Sequence, residues 1–481
     1  MVFSSMVFLG IFLPVVGLVY YLTPKKFRNL WLFMASLLFY GWGEPKYILI
    51  MLFSTVFDYV NGRLIGYFDA KGLHKSAGKA IVVLSCIGNL SILGFFKYTD
   101  FVIGSVNKAC STDFPLLEIA LPIGISFYTF QTMSYTIDVY RGLVKPQKNI
   151  ISFGMYVCLF PQLIAGPIVR YQDVAREVDE RQESELLRQR GIYRFIIGLS
   201  KKVLLANQAG ELYQQLQLFS GSELTAPVAW LSALMYTFQI YFDFSGYSDM
   251  AIGLGMFFGF HFPENFSHPY ESASVTEFWR RWHMTLSTWF REYVYIPLGG
   301  NRKGRGRQIL NLFVVWALTG LWHGADWNFL LWGLYYFLFL ILEKLFLLRL
   351  FEKLTGKLGF LRHIYTMLVV VSGWVLFSHT DLSKALTWWK ALFAPSYWYR
   401  GLVMFGAQSR YLWMHSLPFL LVMTVGCTGL MQSLWRRLIG GEESRVSYLC
   451  KREMGLSAIL LVLSVIYLVS GSYNPFLYFR F

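Results

Sequence analysis

One stretch near the middle of the chain constrains the fold most, because it places an ionisable side chain between two apolar runs. Residues 310–334 read LNLFVVWALTGLWHGADWNFLLWGL. On a helix that starts at Arg307, His323 lies about 24 Å along the axis, at a rise of about 1.5 Å per residue. A hydrocarbon core is about 30 Å thick, so His323 is predicted deep in the bilayer, toward the far leaflet. Ionisable residues at that depth indicate function by default, and a packed histidine satisfied by a backbone carbonyl is the alternative.

The composition agrees with a membrane location for most of the chain. Of the 481 residues, 55% are hydrophobic and only 15% are charged, which is unlike a soluble globular domain. Apolar runs long enough to cross a bilayer recur from end to end. We therefore predict an all-α polytopic membrane protein with about 11–12 transmembrane helices plus re-entrant or interfacial helices. Residues 1–481 are predicted to form a single membrane domain, with the core motif region at 120–345.

The net charge of +15 is carried mainly by short loops between the apolar runs. Such loops follow the positive-inside rule, so the charge is a topology signal rather than a sign of nucleic-acid binding. The first apolar run, Val2–Leu22, precedes its basic residues, which reverses the order in a cleavable signal peptide. We predict that both termini are extracytoplasmic. Residues 271–308 and 436–452 are predicted to be cytoplasmic, and residues 207–226 and 379–412 to lie outside.

Two further membrane segments carry unusual features. Ile151–Ala165 has basic residues on both sides, which favours a re-entrant or interfacial hairpin over a full crossing. A later long span contains QIYFDFSGYSDM, with Asp243 and Asp249 inside it. Each carboxylate is either a structural group paired with arginine or backbone donors, or a member of a substrate path.

The stretch from Val275 to Pro297 is amphipathic. On one helix its apolar stripe would comprise Phe278, Trp282, Leu286, Trp289, Phe290 and Tyr293. Charged residues lie opposite, and His283 falls at the border of the two faces. The pattern predicts a single helix lying in the cytoplasmic interface.

Basic side chains accumulate beside this stretch. We define the basic face as Arg280, Arg281, Arg302 and Arg305. Arginines of this kind suit the phosphates of a cytoplasmic donor such as coenzyme A. Anchoring to anionic lipid is the alternative.

Sequence motifs for other chemistries are missing. The five cysteines form no CxxC pair and no metal-ligand spacing. There is no HExxH, Walker loop or dinucleotide fingerprint, and the serines of FSGYSD form no G-x-S-x-G elbow. Neither metal-dependent chemistry nor nucleotide hydrolysis is supported, and no metal site is predicted.

Several stretches together resemble one family. FWRRWHMTLS at 278–287, YVYIPLGGN at 293–301 and WHGA at 322–325 look like the membrane-bound O-acyltransferases. The likeness covers nearly the whole chain, including its start, MVFSSMVFLGIF, and its end, PFLYFRF. It is greatest to the branch that O-acetylates alginate, peptidoglycan and cellulose.

This resemblance implies a function and a set of roles. The family's near-invariant histidine maps onto His323 and its second histidine onto His283, while Trp322 and Trp327 would exclude water. The implied reaction moves an acetyl group from cytoplasmic acetyl-CoA across a bacterial cytoplasmic membrane to a polysaccharide, with no permanently bound cofactor. The implied partner is a separate extracytoplasmic acetyltransferase of the SGNH/GDSL type. D-alanyl transfer to teichoic acid from a carrier-protein thioester is an alternative, as is a transporter or flippase without acyl chemistry.

Overall fold

The described part of the chain folds into helices joined by turns and loops. The computed structural model describes residues 1–354, 356–403, 407–439, 451–471 and 473–475, and these residues contain no strand. Most of the predicted cytoplasmic loop 436–452 and most of the C-terminal PFLYFRF motif lie outside the described residues. The all-α prediction is confirmed.

Helices of the first part of the chain have the following bounds: α1 Leu13–Leu22, α2 Arg28–Gly41, α3 Ile48–Ala70, α4 Lys79–Cys110, α5 Ile125–Tyr140, α6 Ile150–Cys158, α7 Phe160–Leu163, α8 Tyr171–Asp179, α9 Glu185–Ser200, α10 Asn207–Leu216 and α11 Ala226–Phe257. Those of the second part are α12 Val275–Arg281, α13 Met284–Phe290, α14 Arg305–His323, α15 Trp327–Leu342, α16 Leu348–Lys353, α17 Phe360–Ser378, α18 Leu382–Phe393, α19 Pro395–Val403, α20 Ala407–Gly426, α21 Leu430–Ile439 and α22 Lys451–Ser470. π-Helical turns adjoin them at Phe8–Phe12, His74–Gly78, Lys201–Ala206, Arg291–Tyr295 and Glu343–Leu347. The 3₁₀ turns are Lys25–Phe27, Pro45–Tyr47, Pro269–Glu271 and Gly356–Leu358.

Among the described residues, five helical segments are long and apolar enough to cross a membrane. They are Pro45–Ala70, Ser76–Cys110, Trp327–Lys353, Phe360–Ser378 and Glu453–Ser470. A shorter apolar helix, Phe8–Leu22, precedes them. Large apolar side chains on these segments are exposed, among them Leu49, Ile87 and Ile459, as expected of surfaces that face lipid. The chain is thus a multi-pass membrane protein, and the larger predicted number of crossings stays a prediction.

The helices pack into two compact units. The first comprises Met1–Leu199 and Tyr247–Pro263, and the second comprises Ser200–Gly246 and Glu264–Phe481. Helix α11 supplies residues to both. The single membrane domain inferred from the sequence remains a prediction.

In the first unit, three helices meet at a buried carboxylate. Asp58 on α3 accepts hydrogen bonds from Ser85 Oγ at 2.5 Å, Asn89 Nδ2 at 2.6 Å and Thr136 Oγ1 at 2.8 Å. These donors lie on α4 and α5, so the carboxylate ties the three helices together. The segment predicted as a hairpin, Ile151–Ala165, is broken at Leu159 between α6 and α7. Its placement in the membrane stays a prediction.

The second unit contains the central pair of helices and an aromatic core. Helices α14 and α15 approach closely because Gly320 lies against the carbonyl of Phe329, and Gly333 lies against the carbonyl of Trp316. A Cβ at Gly320 would stand 2.5 Å from that carbonyl oxygen, so only glycine fits. Indole and phenol rings fill the space beside the pair: Trp279, Trp282, Trp316, Trp332, Tyr336 and Trp374.

One local prediction is wrong. The stretch from Val275 to Pro297 is two short helices, α12 and α13, rather than one continuous helix. The chain turns at Trp282 and His283, where His283 has φ 44° and ψ 54°. A residue in this left-handed region cannot continue an α-helix. The apolar stripe is nevertheless buried as expected, since Phe278, Leu286 and Trp289 are all within the core.

Candidate active site

His323 is the last residue of α14, and its imidazole is buried among aromatic rings. Its ring centroid lies 5.0 Å from that of Trp332 on α15 and 5.3 Å from that of Phe377 on α17, both edge-on. The neighbouring Trp322 ring lies 5.0 Å away. Only 4% of His323 is exposed. Three helices therefore shield this imidazole from water.

His283 is held at the turn between α12 and α13 by the loop that precedes them. The backbone N–H of Met284 donates to the carbonyl of Asn265 at 3.0 Å, and the N–H of Ser267 donates to the carbonyl of Arg281 at 3.0 Å. These two bonds fix both ends of the turn. The left-handed conformation of His283, which is unfavourable for a non-glycine residue, is thus imposed by its surroundings.

The side chain of His283 is buried, with 1% exposure. Its Nδ1 lies 3.1 Å from Asn265 Oδ1. Its Nε2 has no hydrogen-bond partner in the part of the chain that the structure describes. Burial lowers the pKa of His283 to about 3, because the charged imidazolium would be desolvated there.

The two histidines share one aromatic neighbour. The His283 ring lies 5.9 Å from that of Trp322, and the His323 ring lies 5.0 Å from the same indole. The sequence predicted His283 at the cytoplasmic face and His323 toward the far leaflet. Both rings lie within 6 Å of that indole, which is closer together than these two depths imply, and the depth of each histidine in the membrane stays a prediction. Phe244 of α11 completes the cover over His283, at 4.7 Å between ring centroids.

The start of α12 is fixed by a buried carboxylate that directly follows α15. Glu343, with no exposed surface, accepts from the backbone N–H of Val275 at 2.6 Å and of Thr276 at 2.8 Å. It also accepts from Thr276 Oγ1 at 2.6 Å. Ser274 adds a side-chain cap by accepting from the N–H of Glu277 at 3.0 Å. The free N–H groups at this helix start are thereby satisfied.

The two predicted carboxylates are each paired with a cation. Asp243 Oδ1 lies 2.6 Å from Lys202 Nζ, and both side chains are buried. In the other unit, Asp249 Oδ1 accepts from Arg194 Nη2 at 2.9 Å and Nε at 3.1 Å. These contacts favour a structural role for both carboxylates, because each has an opposite charge beside it and removing that partner would leave an uncompensated charge.

The basic face is mostly open to solvent. Arg280, Arg302 and Arg305 are exposed, whereas Arg281 pairs with Glu277 at 2.6 Å. Three guanidinium groups are therefore available for phosphate, and Arg281 has a competing carboxylate. Whether the basic face binds a donor stays a prediction.

The two tryptophans assigned to water exclusion differ in placement. Trp322 is buried and lies beside both imidazoles, whereas Trp327 is 52% exposed at the start of α15. The indole of α15 that covers His323 is Trp332, which the sequence motifs did not single out. A role for Trp327 in excluding water stays a prediction.

No group of three or more metal-binding side chains occurs among the described residues.

Known proteins match most of this chain, including the segments that carry both histidines. The model of the membrane-bound O-acyltransferase family matches residues 46–383. The chain is 43% identical over 402 residues to the probable alginate O-acetylase AlgI of Pseudomonas aeruginosa, covering 83% of this chain and 76% of that protein. It is 38% identical to the Pseudomonas putida protein of the same name over the full length of both. It is also 35% identical to the peptidoglycan O-acetyltransferase of Helicobacter pylori, covering 80% of this chain and 78% of that protein.

Proposed function

Because the chain belongs to the membrane-bound O-acyltransferase family, we propose that it moves an acetyl group from cytoplasmic acetyl-CoA across the membrane for O-acetylation of a polysaccharide. The polysaccharide is exported or part of the cell envelope, in keeping with the alginate and peptidoglycan named for its relatives. The observation that carries the proposal is the pair of buried imidazoles that both lie beside the Trp322 ring.

The chemistry suits such a pair. A thioester is already activated, so a neutral imidazole beside it can act as a general base or a transient acceptor of the acyl group. His323 takes this role, and His283 positions the thioester end of the donor. The aromatic rings around both histidines exclude the water that would otherwise hydrolyse the acyl group.

The donor approaches from the cytoplasm in this proposal. The exposed arginines of the basic face hold its phosphates, because guanidinium groups form charge-assisted hydrogen bonds to phosphate oxygens. The acetyl group then passes to a separate extracytoplasmic acetyltransferase of the SGNH/GDSL type, which modifies the polysaccharide. The chain lies in a bacterial cytoplasmic membrane with both termini and residues 207–226 outside.

The test is reconstitution into vesicles with labelled acetyl-CoA, the extracytoplasmic acetyltransferase and the polysaccharide. His323→Ala should lower labelling by about 10²-fold or more, the scale of a lost general base. His323→Gln should lose as much, because glutamine keeps hydrogen bonding but exchanges no proton near neutral pH. If His323→Gln restores most activity, the histidine is a hydrogen-bonding strut and the catalytic assignment is wrong.

A matched control comes from another buried histidine of the same unit. His379 stacks on Trp388, and its Nε2 lies 2.8 Å from Gln217 Oε1. His379→Gln should express and label as the wild type does. Labelling only from a D-alanyl carrier-protein thioester would overturn the acetyl-CoA assignment. Movement of the polysaccharide without any acyl donor would instead support a flippase.

A further inference from the structure

A buried asparagine, Asn265, contacts His283 at the turn between α12 and α13 and Thr285 in the first turn of α13. Asn265 has no exposed surface, and three groups point at its side-chain oxygen. They are Thr285 Oγ1 at 3.0 Å, the backbone N–H of Thr285 at 3.3 Å and His283 Nδ1 at 3.1 Å. A backbone N–H can only donate, so the atom facing it must be the carbonyl oxygen of the amide. The orientation of the Asn265 amide is therefore fixed by the chain itself.

This orientation determines where the proton of His283 lies. An amide oxygen only accepts, so Nδ1 must carry the hydrogen of the neutral imidazole. The other nitrogen, Nε2, is then left with a lone pair. It is buried, and no partner for it occurs among the described residues.

The surroundings keep this imidazole neutral. The rings of Phe244 from α11 and Trp322 from α14 pack against it, and Asn265 Oδ1 faces its Nδ1. None of these three side chains carries a charge. Burial lowers the pKa of His283 to about 3, which favours the neutral imidazole near neutral pH.

We infer that Asn265 is a positioning residue that fixes His283 in the Nδ1–H tautomer, so that Nε2 accepts a hydrogen bond from an amide N–H of the acyl donor. This inference rests on the proposed function. The arm that carries the thioester in coenzyme A and in acyl carrier proteins has an amide N–H two carbons from the sulfur. The thioester carbonyl is only an acceptor, so a lone pair at Nε2 cannot bind it. His283 thus holds the donor through its arm and leaves the carbonyl to other groups.

The first test reads the tautomer directly. Protein labelled with ¹⁵N-histidine in lipid bilayers is studied by solid-state NMR, and the His283→Gln variant identifies the His283 signals. We expect the Nδ1–H tautomer in the wild type and in Asn265→Asp, whose carboxylate also accepts from Nδ1. In Asn265→Leu, the Nδ1–H tautomer should no longer predominate. An Nε2–H tautomer or an imidazolium in the wild type at neutral pH would overturn the inference.

The second test measures binding without turnover. S-ethyl pantetheine is compared with an analogue in which the amide two carbons from the sulfur is replaced by an ester. The ester lacks the N–H. The wild type should prefer the amide by roughly 10-fold in Kd, the scale of one neutral hydrogen bond. Asn265→Asp should keep the preference and Asn265→Leu should lose it. An equal preference in the wild type and Asn265→Leu would contradict the inference.

The control variant is Asn328→Leu. It removes another buried asparagine of the same unit, whose Nδ2 lies 3.4 Å from the carbonyl of Leu376 rather than near His283. It should keep the amide preference. Presenting the S-ethyl group on coenzyme A or on a carrier protein distinguishes the two sources of the arm, and Asn265→Leu should weaken whichever binds. Because both readouts need no acyl transfer, a protein with the predicted tautomer and binding but no acetylation would refute the proposed function alone.

Discussion

Replacement of Glu343 by alanine tests how the second histidine is held in place. The carboxylate accepts from two backbone N–H groups and one hydroxyl at the start of α12, at 2.6 to 2.8 Å, and is fully buried. Helix α12 carries Trp279 and ends at the turn that contains His283. Glu343→Ala removes all three acceptor contacts without touching either histidine.

The size of the effect follows from the groups left behind. A buried donor without an acceptor destabilises a protein by about 1–3 kcal/mol. The two orphaned N–H groups of Val275 and Thr276 should therefore lower the unfolding free energy by roughly 2–6 kcal/mol. Glu343→Gln keeps the shape and one oxygen, so about half of that loss is expected. Acetylation should fall in the same order, because a loosened α12 displaces His283.

Thermal unfolding in lipid nanodiscs, followed by tryptophan fluorescence, measures the stability, and labelled acetyl transfer measures the activity. Glu352→Ala is the matched control, since it removes an exposed glutamate from α16 nearby in sequence. A Glu343→Ala protein as stable as the control, within about 0.5 kcal/mol, would refute the reasoning. Normal stability with lost activity would also refute it, because the loss would then not arise from α12.

Three further predictions concern the donor, the topology and the pH. Neutralising the basic face in pairs should raise the donor KM more than it lowers kcat in steady-state kinetics, and unchanged KM would favour lipid anchoring. Cysteines introduced at Ser222 and Ser184 should react with impermeant reagents from outside and from the cytoplasm, respectively, and the reverse pattern would invert the topology. The low pKa of His283, about 3 against 6.5 in the unfolded chain, makes the unfolded state bind more protons between these values. The contribution of His283 to the unfolding free energy should be fully present above pH 6.5 and be lost as the pH falls toward 3. Chemical denaturation at a series of pH values measures this loss, which should be smaller in His283→Asn.

The sequence predicted the helical class, because it depends on local patterns, whereas the catalytic roles of His283 and His323 stay predictions. It did not predict the break at His283. The apolar stripe from Phe278 to Phe290 continues through that position with helical spacing. The bonds that impose the turn come from Asn265, which lies 18 residues before His283, and from Ser267 in the same loop.

The partners of buried polar groups were missed for the same reason. Lys202 and Arg194 pair with Asp243 and Asp249 across 41 and 55 positions, and no local pattern indicates such pairs. Glu343 did offer a signal, since it directly follows the 16-residue apolar helix α15. An ionisable side chain next to a long apolar run indicates a special role, and this holds for Glu343 as it does for His323.

The two histidines are structurally coupled, because both pack against the indole of Trp322. Its ring lies next to both His283 and His323, so a change in its χ angles would change the surroundings of both imidazoles at once. Substitutions at the two histidines should then be energetically coupled rather than additive. Any redesign that enlarges this site for a longer acyl chain by trimming Trp322 would have to rebuild two pockets together.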